Sequence, residues 1–164
     1  MLKPAITVDL KSLENLTKEY PEASKESRIS RITEALQFIE STIKPLTPEG
    51  AGPYHIRDTM FGKTVLQGDA VYGIYGTPAI YGEPLEYGTS PHFPPVAPIQ
   101  FWVEKKLGIT GEEARGVAFC IARAISKRGT TGAHMFEKGV AQGEAQIVTI
   151  LNQIPDDIIR RVSA

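Results

Sequence analysis

Leu85-Glu-Tyr-Gly-Thr-Ser-Pro-His-Phe-Pro-Pro-Val96 divides this chain: Gly/Tyr-rich, strand-like text precedes it and helix-like text follows. Gly88 permits a positive φ, while Pro91, Pro94 and Pro95 each fix φ and remove a backbone donor. Such a segment cannot extend a central strand, and it cannot begin a helix before its last proline. The expectation is a stiff, extended crossover displaying His92 and Phe93.

Upstream of the crossover, Gly68-Asp69 is a hairpin-type break between Thr64-Val-Leu-Gln67 and Ala70-Val-Tyr-Gly-Ile-Tyr75. Ala79-Ile-Tyr-Gly82 and Leu85 to Tyr87 read as further strands, which predicts an antiparallel meander of three or four strands. Gly73, Gly76 and Gly82 mark bulges or close backbone approaches within it. Five of the six tyrosines lie between Tyr54 and Tyr87, a sign of strand propensity and half-buried faces. Further upstream, Ile29, Ile32, Leu36, Ile39 and Ile43 recur at spacings of three and four. They predict an amphipathic helix over residues 24–44, ended by Pro45 and Pro48. Pro4 to Val8 reads as a short edge strand, and Asp9 as the cap of a short helix with Leu10, Leu13 and Leu16 inward.

Downstream, residues 97–107 predict a helix with Ile99, Trp102 and Val103 inward and Gly108 as its C-cap. Thr110-Gly-Glu-Glu113 has the form of a capping box and opens a helix to Arg128, with Ala114, Val117, Ile121, Ala124 and Ile125 on one side. After Gly129-Thr-Thr-Gly-Ala-His134 comes a last long helix with the stripe Phe136, Val140, Ile147, Leu151 and Ile154, broken at Pro155 and followed by another turn or two. The expected fold is α+β: one domain over residues 1–164, its N-terminal and C-terminal helices packed on a small antiparallel sheet with long loops. Its parts are a strand and short helix in 1–22, the long helix 24–44, the strands in 54–87 and the helical part 97–162.

The composition is that of an ordinary globular protein, with 41% apolar and 23% charged residues among 164. A formal net charge of −1 supplies no whole-molecule field for nucleic acid or an anionic membrane. The single cysteine, Cys120, excludes an intrachain disulfide, and its place in an Ala/Ile/Val helix predicts a buried, inert thiol. No apolar run approaches the roughly 18 residues that a membrane span needs. His55, His92 and His134 occupy three separate loops without metal-ligand spacing. Gly129-Thr-Thr-Gly132 lacks the Gly-Lys-Ser/Thr of a phosphate loop. No catalytic constellation, cofactor site or metal site emerges, and a binding or structural protein is the reading the residues favour. A small hydrolase-like enzyme would use His92 or His134 with Glu86 or Glu137 as acid/base partners. A DNA-contacting component would use Lys127, Arg128, Arg160 and Arg161.

The order of the pieces carries a resemblance. An amphipathic helix is followed by Thr47-Pro-Glu-Gly-Ala-Gly-Pro-Tyr-His-Ile-Arg-Asp-Thr59, a Tyr/Gly region, and Leu85 to Val96. A Trp-bearing helix, Ala122-Arg-Ala-Ile-Ser-Lys-Arg-Gly-Thr-Thr-Gly132, and an aromatic before the last helix complete it. Across residues 25–145 this resembles the tail-completion, or head–tail joining, family of long-tailed bacteriophages and prophages. Two departures stand out: Ile56 replaces the usual leucine before Arg57, and the Thr77–Pro84 stretch is longer than the usual hairpin. The resemblance implies a non-enzymatic virion protein that completes the tail end and helps join it to the head connector as an oligomeric ring. A tail terminator or other minor tail protein is the alternative within the same class. The implied partners are further copies of the chain, the connector and tail-tube or terminator proteins, with transient proximity to DNA in the channel and no membrane. The implied location is the virion neck, reached by assembly in the host cytoplasm. Subunit or partner contacts are then expected at Pro53, Tyr54, Ile80, Tyr81, Tyr87, Thr89, His92 and Phe93.

Overall fold

The computed structural model describes residues 6, 13–51 and 55–163, and the fold is α+β. The edge strand and Asp9 cap expected near the N-terminus lie outside the described residues, Ile6 excepted. The chain forms two compact units, one built from Met1–Leu46, Met60–Gly76 and Phe136–Ala164, the other from Thr47–Thr59 and Thr77–Met135.

The first unit is organised by a long helix. A short helix, α1 (Leu13–Glu19), leads into α2 (Pro21–Leu46). Pro21 opens α2 ahead of the expected start at residue 24, because a proline in the first turn removes a donor that would have had no partner. Pro45 likewise lies inside the last turn, so the helix ends one residue beyond it. Behind α2 is a hairpin, β1 (Phe61–Gln67) and β2 (Ala70–Gly76), in the register Gln67↔Ala70 through Phe61↔Gly76. Gly68 turns it at φ 59, and Asp69 stays at negative φ, the pattern of a two-residue II′ turn.

Strand alternation puts Gly62, Thr64, Gly73 and Tyr75 on the face toward α2. A methyl group at Gly73 would lie 2.8 Å from the Ile32 side chain, and one at Gly62 would lie 3.1 Å from that of Leu36. The predicted helix stripe therefore meets a sheet face on which Gly62 and Gly73 leave room for Ile32 and Leu36. The rest of the stripe meets α7 (Met135–Leu151), where Ala35 shares a buried cluster with Ile147 and Ile150. Gly139 and Gly143, one turn apart on α7, face Ile43 and Phe38 at contact distance, so the two helices approach closely. Ile154, expected at the end of that helix, begins α8 (Ile154–Val162) instead, with Pro155 in its first turn rather than breaking the helix before it. Ile154 and Ile158 then close on Leu13.

The second unit holds the remaining elements: α3 (Ile56–Thr59), α4 (Gly82–Tyr87), β3 (Gly88–Thr89), α5 (Val96–Leu107), α6 (Gly111–Arg128) and β4 (Thr130–Thr131). The expected third and fourth strands are not formed. Ala79–Ile80–Tyr81 is a turn, and Leu85 to Tyr87 is helical. Pro78 lacks a ladder donor, and Pro84 suits a first helical turn, so proline geometry overrides the strand propensity of the tyrosines. In α5 and α6 the buried seam is Val103 against Ala114 and Ala118, with Ile99, Val117 and Ile121 beside it. Trp102 lies off that seam and is exposed. Gly108 ends α5 in the left-handed region, as expected (φ 71). Thr110 is extended at the start of α6, but its side chain makes no capping hydrogen bond, with Gly111 following at φ 67. Cys120 is exposed rather than buried: the inward face of α6 repeats as Ala114, Ala118 and Ala122, and Cys120 falls opposite.

Two ion pairs, Arg31–Asp157 and Arg161–Glu26, tie α2 to α8 in the first unit, and the first is the more shielded. Arg31 on α2 donates from Nε and Nη2 to the two carboxylate oxygens of Asp157 on α8, the Nη2 bond being 2.8 Å long. Both side chains are mostly shielded, at 16% and 13% exposure. The hydrogen bonds from Arg31 hold the Asp157 carboxyl below the ordinary carboxylate range, with the charges of Arg31, Arg160 and Arg161 acting in the same direction. A depressed native pKa stabilises the fold above the unfolded value of about 4 and loses that contribution as pH falls through the native value. Asp157→Asn is expected to cost about 2 kcal/mol at neutral pH. In chemical denaturation, the gap between variant and parent should narrow steadily below about pH 4. A gap that persists unchanged into acid would assign the loss to packing rather than to the ionised carboxylate.

Candidate functional site

In the second unit, two stretches distant in sequence come together: Leu85–Thr89, at the start of the opening crossover, and Gly129–His134. β3 pairs with β4, Gly88 opposite Thr131 and Thr89 opposite Thr130. The ladder is extended by Ala133 N–H to the Leu85 carbonyl (2.8 Å) and His134 N–H to the Glu86 carbonyl (3.1 Å). The hydroxyls of Thr89 and Thr130 bond across it at 2.9 Å. Three glycines permit this approach. A methyl group would fall 2.1 Å from the Thr130 carbonyl oxygen at Gly88, 1.8 Å from that of Thr89 at Gly129, and 2.2 Å from that of Glu86 at Gly132. Gly88 and Gly129 also stand at φ 81 and 71, where side chains are strained. Gly129-Thr-Thr-Gly132 thus serves as a backbone clasp.

The clasp holds the crossover by its first residues and leaves the remainder outside. Tyr87 is 69% exposed, His92 is exposed with its Nδ1 3.0 Å from the Ser90 carbonyl, and Phe93 is 55% exposed. Phe93 packs at a tilt on Phe119 of α6, ring centroids 6.0 Å apart. Just before α4, Ile80 is 94% exposed and Tyr81 follows it at the surface. Thr77 holds this turn through a bond from the Ala79 N–H, and its hydroxyl meets that of Thr59 at 2.7 Å. Ile80, Tyr81, Tyr87, His92 and Phe93 are therefore displayed, whereas Thr89 is half-buried and engaged by Thr130. Pro53 and Tyr54 lie outside the described residues.

The Thr47-to-Arg57 stretch closes on itself. Arg57 donates to the Thr47 carbonyl (2.6 Å) and to Glu49 (3.1 Å), and Lys106 stands 3.8 Å from Glu49. Pro48, Glu49, His55, Arg57 and Asp58 line a shallow cleft there. Of the acid/base partners named above, Glu86, which is buried, and His134, whose backbone is left-handed, meet across the clasp through the His134 N–H bond to the Glu86 carbonyl, whereas His92 is exposed and Glu137 belongs to the other unit. Among the described residues no three His, Cys, Asp or Glu side chains cluster as metal ligands, and no helix is long and apolar enough to cross a membrane.

A second displayed surface escaped the sequence reading. On the face of the first unit's hairpin turned from α2, Phe61, Tyr72 and Ile74 are each about half exposed. The signal was present in the strand alternation, because Gly62 and Gly73 mark the inward face and their neighbours must therefore point outward.

Gly132→Ala should destabilise the second unit by about 3 kcal/mol, since its methyl group meets backbone that cannot yield locally. Gly116→Ala is the control: its methyl group meets nothing within 4 Å. Inside a helix it should gain about 0.5–1 kcal/mol. Thermal unfolding of both variants checks the pair, and equal effects would refute the clasp. No family model matches the chain, and no curated protein and no solved structure matches it either.

Proposed function

We propose that this chain is a structural protein of a phage neck or tail, completing the tail end and helping to join it to the head connector. It acts by assembly rather than by chemistry, as a head-to-tail oligomer located in the virion and built in the host cytoplasm. The observation that carries the reading is the set of large apolar side chains held at the surface of the second unit: Ile80, Tyr81, Tyr87 and Phe93. Single exposed apolar residues are ordinary on a monomer, but a series of them on rigidly held turns marks a surface for contact. The glycine clasp and the prolines of the crossover remove conformational freedom before any partner arrives, so association has less ordering entropy to lose. The motif order described above, from Thr47-Pro through Glu86-Tyr-Gly-Thr89 to the Ala122–Gly132 stretch, supports the same reading.

A head-to-tail ring needs two different faces of one subunit that match each other. Phe61, Tyr72 and Ile74 offer a second apolar set, on a sheet of two strands among the described residues. Native mass spectrometry over a concentration series, with negative-stain imaging of the large species, tests the proposal. The expected result is one closed oligomer of defined size. Ile80→Asp combined with Tyr87→Asp should shift it to monomer with unchanged helical circular dichroism, and Ile74→Asp should do the same from the other face. A monomer at every concentration, alone and when mixed with connector or tail-tube proteins, would overturn the assembly reading.

A further inference from the structure

Helix α6 carries a row of side chains that the packing of the second unit does not use. Arg115, Phe119, Arg123 and Lys127 follow one another at intervals of four residues, and all are exposed. At 1.5 Å per residue the row is about 18 Å long. Arg128 stands exposed on its flank. Among the described residues none of these four cations has a carboxylate partner; Lys18, Lys25, Lys63 and Lys105 lack one too, but they are scattered over α1, α2, β1 and α5 rather than gathered on one helix. The acids of α6, Glu112 and Glu113, are confined to its first turn. Nothing negative on the helix interrupts the row beyond them.

We propose that the exposed row Arg115–Phe119–Arg123–Lys127, with Arg128 beside it, is a contact surface for the phosphate backbone of double-stranded nucleic acid. Arg123 and Lys127, one turn apart, repel each other, and among the described residues no carboxylate is paired with either. A regular, one-dimensional array of anions neutralises the cations of the row together, and a nucleic-acid strand presents a phosphate about every 3.4 Å along its axis. A protein partner is the poorer match. The cores of protein interfaces are depleted in charge. Here three of the four row positions are cationic, and the one apolar member, Phe119, already packs on Phe93. A membrane surface would demand a broad apolar face beside the cations. The contact reads charge and spacing: the row's cations are assigned to phosphate oxygens, which fix register and carry no sequence information.

The structure also divides the basic residues singled out in the sequence. Arg160 and Arg161 belong to the other unit and are engaged by Asp157 (2.6 Å) and Glu26 (2.8 Å). Lys127 and Arg128 are free and are joined instead by Arg115 and Arg123. Such contact is independent of the neck reading, since it needs neither a ring nor a connector.

Fluorescence anisotropy of the full chain with a labelled duplex of arbitrary sequence, titrated across a salt series, tests the proposal. Four phosphate contacts predict that the logarithm of the association constant falls with the logarithm of salt at a slope of about −3.6. The double variant Arg123→Ala, Lys127→Ala should weaken binding for every sequence alike and reduce the slope by about 2. Arg160→Ala with Arg161→Ala should leave the slope unchanged. Cys120, the single cysteine, is exposed on the same helix. A photoreactive maleimide placed there should therefore cross-link to the duplex at low salt and lose the cross-link at high salt. Failure to bind the duplex at low salt, a slope untouched by the α6 variant, or binding of poly-glutamate in place of the duplex would each overturn the assignment.

Discussion

The second unit depends on two stretches of main chain that touch without side chains between them. Gly88, Gly129 and Gly132 leave room for Glu86–Thr89 to lie against Thr130–His134 at hydrogen-bond distance. Everything distinctive about the unit follows from that approach. The chain entering from α4 is fixed in direction, so the proline-bearing crossover leaves it on a defined course toward α5. The chain leaving α6 is fixed as well. The cost is conformational, because three glycines lose more freedom on folding than other residues would. In return, the unit displays Tyr87, His92 and Phe93 on a segment that is already ordered.

Glycine plays the same part in the first unit with different partners. Gly62 and Gly73 open the hairpin's inner face to Ile32 and Leu36, and Gly139 and Gly143 open α7 to Ile43 and Phe38. Helix α2 is gripped from both by removal of side chains rather than by interlocking of large ones. Its apolar stripe is modest as a result: Ile43 is fully buried, while Ile29, Ile32, Leu36 and Ile39 are only partly covered. Arg31 and Asp157 then add a directional tie between α2 and α8 that apolar contact alone would not supply.

The sequence made some of this legible. The spacing from Ile29 to Ile43 located α2, Gly68-Asp69 located the hairpin turn, and Gly108 and Gly129 located helix ends. Each is a local rule whose outcome is decided within a few residues. The errors arose where nonlocal packing decided the outcome. Tyr81, Leu85 and Tyr87 carry strand propensity, yet Pro78 and Pro84 favour a turn and a helix start. Trp102 and Cys120 sit on helices that are apolar on several sides, and only the small residues Ala114, Ala118 and Ala122 show which side of α6 is turned inward. For the candidate site, contacts at Ile80, Tyr81, Tyr87 and Phe93 were implied by the resemblance, whereas the residues by themselves pointed to strands at Ile80, Tyr81 and Tyr87. The clasp was not legible, since the meeting of Gly88 with Gly129 and Gly132 spans some forty residues and no short motif announces it.

The connectivity of the units has a consequence for how the protein is made. The first unit is assembled from three separate lengths of chain and the second from two, so neither is complete in any continuous segment. During synthesis the long helix emerges early, with Arg31 exposed and its stripe uncovered, and Asp157 follows 126 residues later. At elongation rates of about 5–20 residues per second, that interval lasts roughly 6–25 s. The hairpin, complete at Gly76, covers part of the stripe long before the C-terminal helices can close over the rest. The chain is thus committed to finishing its first-made unit last, and truncation near its C-terminus would strand the N-terminal helix rather than merely shorten the protein.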